Sequence, residues 1–98
     1  MDEDKNQWLL IAEFNANKLN GGFPALKKYL SKLRKRGNQT SCAILGNGGV
    51  EERYRVFVYG KNDPEMVLLH GELERLVGVA KSFEVRDENG KVFIRKYR

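Results

Sequence analysis

Three observations on this 98-residue sequence predict an α+β fold, with two helices against one face of an antiparallel sheet. Five short runs rich in branched and aromatic residues read as strands. Two longer runs carry apolar residues at helical spacing. Glycine, asparagine and proline punctuate the joins, and the resulting order is β-α-β-β-α-β-β.

Strand one is Gln7-Trp8-Leu9-Leu10-Ile11-Ala12-Glu13-Phe14. Asn20-Gly21-Gly22 turns the chain, and Pro24 suits the first position of a helix. That helix is expected from about Pro24 to Arg36, with Leu26, Tyr29, Leu30 and Leu33 on one face. Gly37 stops it, and Arg34, Lys35 and Arg36 suit the negative end of its dipole. Strand two is Thr40 to Leu45, and Asn47-Gly48 signals a hairpin into strand three, Glu52 to Tyr59.

Asp63-Pro64-Glu65 opens the second helix, with Asp63 as the expected N-cap. Its expected buried stripe is Met66, Leu69, Leu73, Leu76 and Val77, with Val67 and Leu68 pointing away. Gly78 ends it. Strand four is Ser82 to Arg86, with Phe83 and Val85 on one face. A second Asn-Gly turn, at Asn89-Gly90, leads into strand five, Lys91 to Tyr97.

Without its last strand, this order is the ferredoxin-like split β-α-β-β-α-β, and the added C-terminal strand would extend or lap an edge. The run Leu73-Glu74-Arg75-Leu76-Val77-Gly78-Val79, followed by Phe83-Glu84-Val85 and a hairpin, resembles the helix-to-strand join of heavy-metal-associated and ACT-type domains. The CxxC of the former is absent. The ACT-type resemblance would imply a small-ligand sensor with a pocket between subunits, and no sequence feature supplies one.

Composition narrows the function. The chain is 41% hydrophobic and 32% charged, too apolar for disorder and short enough for one domain. Residues 1–6 read as an acidic tail and residues 7–98 as a single domain. No apolar run approaches the ~20 residues that cross a bilayer. The acidic opening argues against a secretory leader, so a cytoplasmic protein is expected. One cysteine, Cys42, precludes an internal disulfide, and with His70 it supplies too few ligands for a structural zinc. The carboxylates are scattered and no nucleophile has a nearby base, so no enzyme and no cofactor are expected.

Eighteen Lys and Arg against thirteen Asp and Glu give a net charge of +5, and the positive charge is concentrated. Lys27, Lys28, Lys32, Arg34, Lys35 and Arg36 lie within ten positions of the first helix, with no acid among them. Such a field attracts a polyanion, because neutralised phosphates release counterions. Alternation puts Arg53, Arg55, Phe57 and Tyr59 on one face of strand three, and Tyr54, Val56 and Val58 on the other. The first set resembles the way RRM modules use their central strands to stack and clamp bases. Tyr54, Arg55 and Val56 do not supply the glycine or alanine of the RNP1 pattern. Arg95 and Tyr97 repeat the basic-aromatic interleaving on strand five.

Strand one is apolar on both faces, so a partner should cover the second. The sequence therefore predicts a non-enzymatic nucleic-acid-binding protein, with RNA or single-stranded DNA favoured. The alternative is a regulatory or inhibitory protein that meets an acidic protein surface and forms a homodimer through its sheet. In so short a chain, the basic elements are expected to lie close together.

Overall fold

A computed structural model of the chain describes residues 8–46 and 52–97, with side chains to residue 92. The expected tail and the Asn47-Gly48 turn lie outside the described residues. The elements are β1 (Trp8–Asn15), a 3-10 turn (Ala16–Lys18), α1 (Gly22–Lys35), β2 (Thr40–Leu45), β3 (Arg53–Gly60), α2 (Asp63–Leu76), β4 (Ser82–Arg86) and β5 (Val92–Tyr97). The fold is α+β. The sheet order is β2-β3-β1-β4-β5, with every neighbouring pair antiparallel. β5 extends the β4 edge. None of the helices described is long and apolar enough to cross a membrane.

Register decides which side chains share a face. Leu10 lies opposite Val58 and Val85, and Ala12 opposite Val56 and Phe83. These residues and Phe14 are buried under Leu26, Tyr29, Leu30 and Leu33 of α1 and Met66, Leu69 and Leu73 of α2. Both helices thus seal one sheet face, where their apolar stripes leave water together.

The helix ends differ from the sequence expectation in instructive ways. α1 begins at Gly22, two residues before Pro24, because Gly21 turns the chain at φ 83°. It ends as expected. Gly37, at φ 99°, donates to the Arg34 carbonyl, and Asn38 donates to that of Leu33. These are the two bonds of a Schellman motif.

In α2 the N-cap is Asn62, not Asp63. Its side chain accepts from the Glu65 N–H at 3.0 Å, which shifts Pro64 into the second helical position. Leu76 is 43% exposed and is not part of the buried stripe, whereas Val77 is fully buried. Val67 and Leu68 point outward, as expected. The end of α2 lies hard against the 3-10 turn. A Cβ on Gly78, at φ 145°, would stand 2.9 Å from the Lys18 carbonyl oxygen, so glycine is required there on both counts.

Candidate nucleic-acid interface

The second sheet face carries no covering element among the described residues. Period-two alternation brings Arg53, Arg55, Phe57 and Tyr59 to it from β3, as expected. In register, Leu9 lies between Tyr59 and Arg86, Ile11 between Phe57 and Glu84, and Glu13 between Arg55 and Ser82. The centre is thus an apolar and aromatic strip of Leu9, Ile11, Phe57 and Tyr59, all half-buried. It forms the floor of a groove of about 490 Å³ rimmed by Arg55, Glu84 and Arg86.

One member of this face was not singled out from sequence. Glu13 is 8% exposed and accepts from Arg53 Nη1 at 2.9 Å and Arg55 Nη2 at 3.2 Å. Burial alone would raise its carboxyl. The hydrogen bonds and charges of Arg55 and Arg53 outweigh burial and hold it below the usual carboxylate value. The two arginines are therefore fixed in place and together keep one net positive charge. Each guanidinium has five N–H donors, and their side chains stay 37% and 44% exposed, so both retain donors toward solvent. Nothing in the spacing of Glu13 marks it. Only the β1–β3 register sets it beside Arg55. Glu84 and Arg86 form a second ion pair on the same face.

The cations of α1 lie elsewhere. Lys28 and Lys35 stand about half a turn round the helix from the buried stripe and face away from the sheet, with Lys32 beside them. All three are exposed, with no ion pair among the described residues. For these three lysines the expected proximity to the strand cations does not hold: they face away from the sheet, on the far side of the helical layer.

Three other cations have structural partners. Arg36 binds Glu72 at 3.1 and 3.3 Å, and the Tyr29 hydroxyl donates to the same carboxylate at 2.8 Å. Burial tends to raise the Glu72 carboxyl, but these bonds more than offset it, and the group lies below its ordinary value. Glu72 thus ties α2 to α1. Arg34 donates to Thr40 Oγ1 at 2.8 Å, and Lys27 Nζ sits 5.7 Å over the Phe23 ring. The backbones of Arg95 and Tyr97 pair opposite Glu84 and Ser82, and their side chains lie outside the described residues.

Cys42 and His70 do not form a couple. Cys42 is on β2, half-buried against the core, where burial pushes its thiol up. His70 stacks on Phe83 of β4 at 3.8 Å, with Nε2 3.4 Å from Glu74. β2 and β4 are three strand spacings apart, roughly 14 Å. Among the described residues, no cluster of His, Cys, Asp or Glu could hold a metal ion. Comparison with protein families, curated proteins and solved structures finds no match to this chain.

Proposed function

We propose that this is a small non-enzymatic nucleic-acid-binding protein of ferredoxin-like topology with a fifth strand, cytoplasmic, taking RNA or single-stranded DNA on its open sheet face. The observation that carries this reading is the row Arg55, Phe57, Tyr59 along the interior strand β3, beside Leu9 and Ile11. Bases stack on Phe57 and Tyr59, and Arg55 and Arg53, steadied by Glu13, meet the sugar-phosphate backbone. Spacing favours a single strand. Same-face residues on a strand are about 6.8 Å apart, against about 3.4 Å between successive bases of a duplex strand. Unstacked bases reach the wider spacing. Lys28, Lys32 and Lys35, on the far surface, supply a long-range positive field rather than contacts.

Fluorescence anisotropy with short uridine and thymidine oligomers tests this. Phe57→Ala and Tyr59→Ala should each weaken binding by about five- to 150-fold, the worth of one stacked base. Duplex of the same length should bind worse. Equal affinities for wild type and both variants would reject the sheet face as the site.

The half-buried strip of Leu9 and Ile11 also supports a second reading, a regulatory protein that dimerises sheet to sheet. Molecular mass in solution separates the two, because a tight dimer would cover Phe57 and Tyr59.

A further inference from the structure

A second groove, of about 770 Å³, is lined by Arg34, Asn38, Gln39, Thr40, Ser41 and Tyr59, with Gly37 at its end. Tyr59 belongs to both grooves. The two grooves therefore adjoin at Tyr59, the second lying beside β3 at the start of the edge strand β2.

The junction is held firmly. The Tyr59 N–H donates to the Gln39 carbonyl at 3.0 Å, and the Asn38 side-chain amide donates to the Tyr59 carbonyl at 2.7 Å. Asn38 also donates to Glu65 Oε2 at 3.0 Å. On the far wall Arg34 is oriented by its bond to Thr40 and remains exposed.

Charge selects the occupant. Residues 14–50 hold seven Lys and Arg and no Asp or Glu, while the rest of the chain holds eleven against thirteen. The whole net positive charge thus resides in the segment that forms α1, β2 and this groove. The lining is otherwise amide and hydroxyl, which suits phosphate and sugar oxygens rather than an apolar ligand.

The geometry points to an extended binding path: a single nucleic-acid strand stacked on Phe57 and Tyr59 leaves the sheet over Tyr59 and enters the groove at the α1–β2 connection, where Arg34 takes a phosphate. This rests on the sheet-face reading above. It gives the site two parts. A stacking platform reads base faces, and a polar exit groove reads only backbone. Affinity therefore grows with strand length beyond what the platform holds.

The test is a length series of oligouridylates and oligothymidylates, from about three to about ten nucleotides, against wild type, Arg34→Gln and Arg34→Glu. Circular dichroism confirms that the variants fold. A trimer should bind all three proteins alike. An octamer should bind wild type at least about tenfold more tightly than the trimer does, and Arg34→Glu should remove most of that gain. Arg34→Gln should lower the salt slope for the octamer by about 0.7, the value of one single-strand phosphate contact. If the octamer gain survives Arg34→Glu intact, the exit groove is wrong and the platform stands. If no oligomer binds, or binding ignores Phe57→Ala, the platform fails and the extension with it.

Discussion

Replacing Glu13 by Gln isolates the charge that organises the open sheet face. The carboxylate is 8% exposed and accepts one bond from each of two arginines. A hydrogen bond to a charged group contributes about 1.5–3 kcal/mol. Both arginines are more than a third exposed and can rehydrate when released, and glutamine keeps one acceptor oxygen. The net loss should be about 2 kcal/mol at neutral pH. In urea titrations this moves the midpoint by about 1 M at a slope of about 2 kcal/mol per M.

The pH dependence is the sharper measurement. Glu13 is held below its unfolded value, so its contribution is complete above about pH 5 and is lost as the pH falls through the lowered folded value. The stability gap between wild type and Glu13→Gln should therefore close on acidification. Glu72 is lowered as well, but it is present in both proteins and cancels in the difference. A gap that is absent at pH 7, or that persists unchanged in acid, would refute the assignment of Glu13 as an ionised clamp.

Two further outcomes follow from the geometry. Lys28→Gln, Lys32→Gln and Lys35→Gln together should leave stability unchanged and slow oligonucleotide association at low salt by a few-fold, an effect that fades above about 0.15 M; stopped-flow fluorescence measures it. Asn62→Ala should cost about 1 kcal/mol in urea denaturation and Asp63→Ala clearly less, because the cap bond to Glu65 comes from Asn62.

Much of the fold is legible residue by residue. The i, i+3, i+4, i+7 stripe of α1 and the i, i+3, i+7 stripe of α2 give both helices, and alternation in Arg53–Tyr59 assigns each side chain to the correct face, since a strand's period of two is local geometry. The N-cap of α2 is not legible in the same way, because Asn62 and Asp63 have similar capping ability and only the extended backbone at Asn62, φ −161°, distinguishes them. Of the last two residues of the expected α2 stripe, Val77 is buried at the helix C-cap and Leu76 is 43% exposed, because the two flank the stripe on opposite sides and only Val77 meets the core.

The candidate site divides in the same way. Its aromatic and basic members are fixed by short-range pattern, and so is the concentration of positive charge before residue 51. What those charges do is a matter of distance between residues far apart in the chain. Glu13 and Arg53 are forty positions apart, and so nearly are Arg36 and Glu72. Strand register and helix packing draw three nominally free cations, Arg36, Arg53 and Arg55, into two structural clamps. The separation of α1's lysines from β3's aromatics has the same origin. A helix must bury its apolar stripe on one side of the sheet, so its charged side faces away from whatever the other side holds. Sequence alone therefore determines that the protein is polarised, and only the tertiary structure decides that α1's lysines face away from β3's aromatics while Arg34 shares a groove with Tyr59.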